Sequence, residues 1–201
     1  MLAGITPPDG GELHVSRAVA NSIGYVFQDY EQSLMPWLSC EDNISLPLVS
    51  AGSISHEVAR QRVREFAAEL QLDLPLGNYA YQMSGGQQQL TSFARALITE
   101  PMLLLLDEPF ASLDYLNRMS MLRALDRDWA RRPKTIVLVT HDVDEAILAS
   151  DRVLVLGGRP STIVELIDVP VPRPRAPAAI STPEFGDVRA RVLAHFPEQL
   201  G

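Results

Sequence analysis

The chain has 201 residues and is 46% hydrophobic, which suffices for one domain with an ordinary buried core. It carries 17 lysine and arginine residues against 25 acidic ones, and the net charge of −8 gives no support for nucleic-acid binding. The single cysteine, Cys40, excludes an intrachain disulfide, and no apolar run approaches the roughly 18 residues of a membrane-spanning helix.

The first half of the chain predicts one strand followed by a helical region. SIGYVFQ (22–28) has the composition of a short buried strand, and PWLSCEDNISLPL (36–48) predicts a loop with a short helix. Apolar residues at three- and four-residue steps predict helices over 55–71 and 87–98. The run MLLLLD (102–107) is apolar on both faces of a strand and ends in an acid, which is typical of a central strand in a parallel sheet.

The second half alternates helices and strands. A helix is predicted over 115–130, and a second fully apolar strand over 135–140 (TIVLVT). DVDEAILAS (142–150) begins a helix with acids in its first turn, which suits the helix dipole. RVLVL (152–156) and STIVELI (161–167) predict two further strands. Together these elements predict an α/β fold with a mostly parallel sheet flanked by helices.

Two regions depart from the alternation. Residues 38–98 contain helices alone, which predicts an inserted helical subdomain. Residues 169–183 are Pro-rich and predict an extended linker, followed by a short amphipathic helix, DVRARVLAHF. We therefore expect a C-terminal tail over 169–201.

Polar residues follow three of the predicted strands. Asp107 and Glu108 come directly after MLLLL, Gln28 closes SIGYVFQ, and His141 follows TIVLVT. Ligands of open parallel sheets sit beyond the carboxyl ends of the strands, where carboxylates can hold Mg²⁺ and a second carboxylate can activate water. Each residue alone also fits a plain role, a solvated strand end or a structural histidine. Jointly they favour a phosphate-processing site.

The stretch QMSGGQQQL (82–90) places two glycines after a serine at a helix start, which is typical of an anion-binding turn. The chain nevertheless contains no G-x-x-x-x-G-K-[ST] loop for a nucleotide of its own. Its only lysine, Lys134, lies in ARRPKTIV with no Gly-rich loop around it.

These motifs resemble, in order and over almost the whole chain, the nucleotide-binding subunit of ABC transporters. The matching segments are SGGQQQ, ARAL, LLLLDEP, SLD and THD. The matched positions are Ser84, Gly85, Gly86 and Gln87 in the signature loop, Asp107 and Glu108 in the Walker B segment, Asp114 in the D-loop, His141 as the switch histidine and Gln28 as the Q-loop.

The resemblance implies roles for these residues and implies ATP and Mg²⁺ as ligands. Glu108 would be the general base, Asp107 would hold Mg²⁺, and Gln28 and His141 would place the metal, the water and the γ-phosphate. Two subunits of the family pack head to tail, so the 84–87 turn would touch ATP held by a second ATPase subunit, in a homo- or heterodimer. Asp114 would belong to the same nucleotide interface.

A looser similarity concerns the segments PWLSCEDNISLPL and DRVLVLGGRPSTIVELIDVPVPRPR. They resemble ATPases of bacterial importers for nitrate, sulfonate, taurine or similar small solutes. This implies two transmembrane permease subunits, a solute-binding protein and a peripheral place on the cytoplasmic face of the inner membrane. The region 30–50 would contact the permeases, although Trp37 also fits a surface loop with one buried aromatic residue.

Two departures from the family pattern define an alternative. The resemblance aligns Met1–Ile5 with the end of the helix that follows the Walker A lysine, so we expect one N-terminally incomplete ABC ATPase domain over 1–201, without the first strand and Walker A loop, and not competent for hydrolysis by itself. The alternative is a non-catalytic subunit that lends only its signature loop to another ATPase. Leu90 stands where the family has arginine, with Thr91–Ser92 after it; Leu90 either packs in the helix face or marks relaxed selection.

Overall fold

The computed structural model describes residues 3–29, 33–52, 54–175 and 177–196. Its contacts divide the chain into two compact units, Met1–Val137 and Leu138–Gly201, and the boundary falls within a strand. Among the described helices, none is both long enough and apolar enough to cross a bilayer.

The elements follow the predicted order closely. Those that begin in the first unit are α1 (Arg17–Ala20), β1 (Ile23–Val26), α2 (Cys40–Ser50), α3 (His56–Leu70), α4 (Gly85–Leu97), β2 (Leu103–Asp107), α5 (Tyr115–Arg131) and β3 (Thr135–Val139). The second unit holds α6 (Val143–Ala149), β4 (Arg152–Gly157), β5 (Thr162–Asp168) and α7 (Pro183–Leu193). Two 3₁₀ turns, Ala80–Gln82 and Pro177–Ser181, precede α4 and α7.

Capping residues set the starts of the helices. Ser84 caps α4, so this helix begins two residues before the expected start at 87. Thr182 caps α7, and Pro183 occupies the first helical position, where its lack of an N–H costs nothing. Because the cap and not the apolar pattern fixes the first turn, both helices are longer than the pattern alone predicts.

The main sheet has the order β1-β2-β3. β1 and β2 pair in parallel, from Ile23 opposite Leu103 to Val26 opposite Leu106. The four leucines of β2 are all buried, as expected of a central strand. The predicted α/β fold with a parallel sheet and flanking helices is therefore confirmed. β3 lies at an edge of this sheet, and 55% of Val139 is exposed.

β4 and β5 do not extend this sheet as the alternating pattern suggested. They form a separate antiparallel pair, from Arg152 opposite Asp168 to Gly157 opposite Thr162. Only residues 158–161 connect the two strands. A parallel neighbour requires a crossover of about a dozen residues or more, so this short connection allows only a hairpin.

The Pro-rich segment, predicted as an extended linker, contains residues that pack in the second unit. Val169 continues from β5 and donates its N–H to the carbonyl of Asp151 at 2.9 Å. Val169, Val171 and Arg175 are all buried. This part of the segment is extended, but it packs within the second unit.

The helix α4 forms the centre of the first unit. Phe93 and Leu97 are fully buried, and the helix packs against β1 and α2, while α2 also packs against α3. The predicted helical subdomain over 38–98 contains α2, α3 and α4; its standing as a separate subdomain stays a prediction. The fit of α4 on the sheet depends on Gly24 in β1, because a Cβ there would lie 2.8 Å from the carbonyl oxygen of Ala96.

We therefore predict that Gly24→Ala lowers the free energy of unfolding by about 1–3 kcal/mol, since the backbone carbonyl of Ala96 cannot yield as a flexible side chain can. Gly77→Ala is the matched control, because its added Cβ meets open space, and we expect a change within about 0.5 kcal/mol. Urea denaturation of both variants measures the difference. Equal midpoints would contradict the close approach of α4 to β1.

A second prediction concerns Cys40, which is fully buried at the start of α2 and lies 3.2 Å from Thr91 Oγ1. Burial raises the pKa of its thiol to about 11. At pH 8 the folded chain should react with a thiol-specific reagent only as fast as it unfolds, while the chain in urea reacts at once. Because the thiol has a higher pKa in the folded chain, the free energy of unfolding keeps its full value below about pH 9 and falls as the pH rises through about 11. Rapid labelling of the native chain at pH 8 would contradict the burial.

Candidate functional site

The carboxyl ends of β1 and β2 lie side by side. Val26 and Leu106 form the last pair of the parallel ladder, so Gln28 and the Asp107–Glu108 pair leave the sheet at the same edge. Gln28 is exposed, and both acids are half-buried. The structure thus brings these three sequence-predicted residues to one sheet edge.

Tyr25 supports the Asp107 carboxylate from the neighbouring strand. Its hydroxyl donates to Asp107 Oδ2 at 3.4 Å, and its ring packs on Phe27 with centroids 4.1 Å apart. Burial, and then the negative charge of Asp107, raise the pKa of Tyr25, so the hydroxyl keeps its proton and remains a donor. Sequence reasoning missed Tyr25. Its role follows from the register of β1 on β2, which places Tyr25 opposite Leu105, two residues before Asp107 and on the same face.

Glu108 leaves the strand in a strained conformation. Its φ is +46°, in the left-handed region that side chains other than glycine rarely adopt. A turn starts here, with the N–H of Ala111 donating to the Glu108 carbonyl at 3.3 Å. Such strain costs about 1–3 kcal/mol and clusters at functional sites. It turns the chain sharply at the residue that the motif assigns to chemistry.

The N-terminus of α4 has a capping box, and its N-cap residue is accessible to solvent. Ser84 Oγ accepts from the Gln87 N–H at 3.3 Å, and Gln87 Oε1 accepts from the Ser84 N–H at 3.0 Å. Ser84 is exposed. The first-turn amides of Gly85 and Gly86 have no acceptor within the helix, and no acid lies in this turn. The arrangement suits an anion that approaches from outside the unit.

Gly86 lets this turn pack directly on the start of α5. A Cβ at Gly86 would lie 3.0 Å from Asn117 Nδ2 and 3.4 Å from Leu113 Cδ2. Asp114 caps α5 by accepting from the Asn117 N–H at 2.9 Å and from Asn117 Nδ2 at 2.7 Å. The backbone hydrogen bond from Asn117 lowers the pKa of Asp114, so this carboxylate stays charged. The predicted signature loop and D-loop residue therefore belong to one packed surface.

Two polar side chains of α4, the buried Gln89 and the half-buried Arg95, donate to carbonyls in the segments that follow β2 and β1. Gln89 donates from Nε2 to the carbonyl of Pro109, which directly follows Glu108. Arg95 donates to the carbonyl of Ser33 at 2.7 Å, five residues beyond Gln28, and burial lowers the pKa of its guanidinium. Sequence reasoning gave neither residue a role. Leu90, which departs from the family pattern, is 2% exposed and completes the apolar face of the helix.

His141 lies in the second unit, exposed, in the short loop between β3 and α6. Thr140 Oγ1 accepts from the Asp142 N–H at 3.1 Å and donates to Glu145 Oε2 at 2.9 Å. Asp142 Oδ1 accepts from the N–H groups of Asp144 and Glu145 at 2.9 and 3.0 Å. The loop is thus tied to the first turn of α6. That His141 meets the edge formed by Gln28 and Asp107 stays a prediction.

The donor set at the strand edge fits Mg²⁺ without a dedicated cage. Within the described ranges, no group of three or more His, Cys, Asp or Glu residues is arranged to hold a metal ion. Mg²⁺ in phosphate sites takes one or two carboxylates, keeps several waters and shares phosphate oxygens. Asp107 and the amide oxygen of Gln28, at one edge, match that requirement.

Comparisons with known proteins identify the family of the chain. The family model for the ABC transporter matches residues 1–111. The aliphatic sulfonates import ATP-binding protein SsuB 1 of Pseudomonas fluorescens is 44% identical over 192 residues, covering 96% of this chain and 68% of that relative. A putative ATP-binding protein of Brucella abortus, BruAb2_1123, is 36% identical, covering 96% of this chain and 74% of the relative.

A solved structure gives the same result. The dimeric structure of MJ0796, a bacterial ABC transporter cassette, is 34% identical with a TM-score of 0.59. The match covers 66% of this chain, and this chain spans 57% of the length of that cassette. The family expected from the motifs is confirmed: the chain belongs to the ABC transporter family.

Proposed function

We propose that the chain is the ATP-binding and ATP-hydrolysing subunit of a bacterial importer for a small solute of the nitrate, sulfonate or taurine class. The observation that carries the proposal is the Asp107–Glu108 pair beside Gln28 at one sheet edge, with Glu108 in a left-handed conformation. Relatives named aliphatic sulfonates import ATP-binding proteins, in Pseudomonas fluorescens and in Agrobacterium fabrum, support the solute class.

The site residues divide the chemistry among them. Glu108 accepts the proton of the attacking water, and Gln28 orients that water with an amide that both donates and accepts. Asp107, held by Tyr25, binds Mg²⁺, which when bound neutralises charge on the phosphate oxygens. His141 contacts the γ-phosphate. A relative solved with ADP and Pi supports adenine nucleotide and phosphate as the ligands.

The signature turn serves a neighbouring subunit in this proposal. The exposed Ser84 hydroxyl and the amides of Gly85 and Gly86 cover the γ-phosphate of ATP held by a second ABC ATPase subunit, with Gln87 and Asp114 lining the same interface. The dimeric structure of MJ0796 supports a paired arrangement. The alternative, a subunit that lends only this turn, is not favoured, because the relatives are named as ATP-binding proteins.

An exposed aromatic surface, formed by Trp37, Tyr79 and Tyr81, supports membrane partners. Trp37 is 71% exposed and Tyr81 is 76% exposed, and the rings of Tyr79 and Tyr81 stack at 5.8 Å. A backbone bridge between Ser39 and Tyr79 joins the two segments. We propose that this surface contacts the permease subunits, of which there are two, and that the chain lies on the cytoplasmic face of the inner membrane. A solute-binding protein acts through the permeases.

Asn43 holds the Trp37 loop in place. It is fully buried, and its Nδ2 donates to the carbonyls of Met35, Leu38 and Ser39 at 3.1–3.2 Å. Its Oδ1 accepts from the Met35 N–H at 2.8 Å. One side chain therefore hydrogen-bonds to four backbone groups, on both sides of Trp37. The loop is thus already ordered before any partner binds the indole.

In an assembled transporter whose ATPase subunit includes a Walker A segment, Glu108→Gln is expected to lower ATP hydrolysis about 10²–10⁴-fold, because the amide cannot take the proton of water. ATP binding should persist, since the variant keeps the shape of the side chain. Steady-state phosphate release and a nucleotide-binding isotherm measure the two effects.

Glu100→Gln is the matched control, because Glu100 also has a positive φ, of +54°, but pairs with Arg62 and Arg132 instead of standing at a strand end. We expect it to leave hydrolysis unchanged. Hydrolysis by the Glu108 variant at the wild-type rate would refute the general-base role. If the assembly with a Walker A segment and an intact Glu108 does not hydrolyse ATP, the alternative is favoured, in which this subunit contributes only its signature turn.

Trp37→Ala is expected to weaken assembly with the permease subunits about 30-fold or more, as loss of a central aromatic contact does. The free energy of unfolding should change by less than about 0.5 kcal/mol, because the indole is exposed. Co-purification with the permeases and urea denaturation measure the two quantities. Val58→Ala, a similarly exposed residue on α3, serves as the control, and equal assembly of both variants would remove this surface from the interface.

A further inference from the structure

The second unit contains a deeply buried cation that no role above explains. The Arg175 side chain is 2% exposed and lies in the Pro-rich segment after β5. Its Nε donates to the Val171 carbonyl at 2.9 Å, and its Nη2 to the Val169 carbonyl at 3.4 Å. Burying a charge is costly unless hydrogen bonds satisfy it, so these contacts fix the guanidinium tightly.

The remaining donors of Arg175 close the C-terminus of α6. Nη1 donates to the carbonyls of Ile147 and Leu148, at 2.8 and 3.4 Å, and to that of Ser150. The remaining carbonyl, that of Ala149, accepts a hydrogen bond from Arg173 Nη2 at 2.8 Å. The two arginines thus cover the carbonyls from 147 to 150, the groups that a helix end leaves without intrahelical partners.

Only an arginine makes this closure. Its planar guanidinium presents five donors in a rigid fork, whereas the ammonium of lysine has three on a flexible stem. A positive charge at a helix C-terminus is also favoured by the helix dipole. Pro172 and Pro174 flank Arg173 and restrict the backbone, which limits how far the segment can shift.

The opposite end of α6 carries His141. Asp142 caps the helix, and Thr140 ties the same loop to Glu145, so His141 stands between two anchored residues. Arg189 of α7 adds an ion pair with Asp144 at 3.0 Å. With seven residues, α6 is one short continuous helix about 10 Å long, so its two ends are joined by a single hydrogen-bonded element. Displacing one end of it therefore displaces the other.

We propose that Arg175 is a positioning residue: by holding the last turn of α6, it fixes where the loop at the other end presents the His141 imidazole. The proposal rests on the proposed function in one respect: the position of His141 matters for hydrolysis only if His141 contacts the γ-phosphate. The position itself is a property of the chain without nucleotide. The Pro-rich segment is then part of the catalytic scaffold and not a tether.

The test compares Arg175→Lys with the wild-type chain by NMR, without nucleotide and at fixed pH. The Cε1–H resonance of His141 is assigned by its loss in His141→Asn. We expect this resonance to shift or broaden in Arg175→Lys, and the amides of α6 to exchange about tenfold faster or more. Arg191→Lys is the control, because the ion pair of Arg191 joins α7 to Glu165 of β5 and not to α6. It should leave both readouts unchanged.

An unchanged His141 resonance with a lowered melting temperature would reduce Arg175 to a stabilising role and overturn the proposal. If Arg175→Lys does not fold, Arg173→Lys is used, which removes the contact with the Ala149 carbonyl while Arg175 remains. We expect a smaller shift of the His141 resonance in that variant. No change in that variant would overturn the proposal equally.

Hydrolysis by the assembled transporter separates this inference from the proposed function. If both hold, Arg175→Lys lowers kcat about 10- to 100-fold with the KM for ATP within about twofold, as a small misplacement of a catalytic group does. If the resonance moves but kcat does not, Arg175 still positions His141, and the role of His141 in hydrolysis is what fails.

Discussion

The parallel pairing of β1 with β2 is the constraint on which the candidate site depends. Its register from Ile23–Leu103 to Val26–Leu106 ends both strands at the same height, so the residues that follow them become neighbours although about 80 positions separate them. Burial of the four leucines of β2 holds this pairing, each burial being worth up to about 1.5–3 kcal/mol. Gly24 then allows α4 to lie directly on the sheet.

The helix α4 links the parts of the site within the first unit. Its N-cap residue Ser84 is exposed, while Gln89 and Arg95 further along the helix donate to the carbonyls of Pro109 and Ser33. A hydrogen bond shielded from water is costly to break, because a polar group left without it carries a desolvation penalty. The helix α4 therefore connects the signature turn with the Pro109 and Ser33 segments through hydrogen bonds.

The sequence predicted most elements because local signals determine them. The apolar spacing of α3 and α5 and the apolar run of β2 left little choice, and the motifs identified Gln28, Asp107 and Glu108. The separate pairing of β4 with β5 depended on a connection length that the strand patterns do not show. Tyr25, Gln89, Asn43 and Arg175 were out of reach, since their partners lie in other elements and only the packed chain brings them together. The positive φ of Glu108 likewise has no local signature.

The N-termini of α4 and α6 differ in their first-turn residues, and this difference limits how each helix can bind a phosphate. The first turn of α4 contains glycines and no acid, so an anion can approach its amides. The first turn of α6 already binds the carboxylate of its own Asp142 and carries Asp144 and Glu145. An anion at those amides would meet both repulsion and an occupied site. A phosphate contact in this loop must therefore come from the His141 side chain, which makes its exact placement, and whatever anchors α6, matter more than the helix terminus itself.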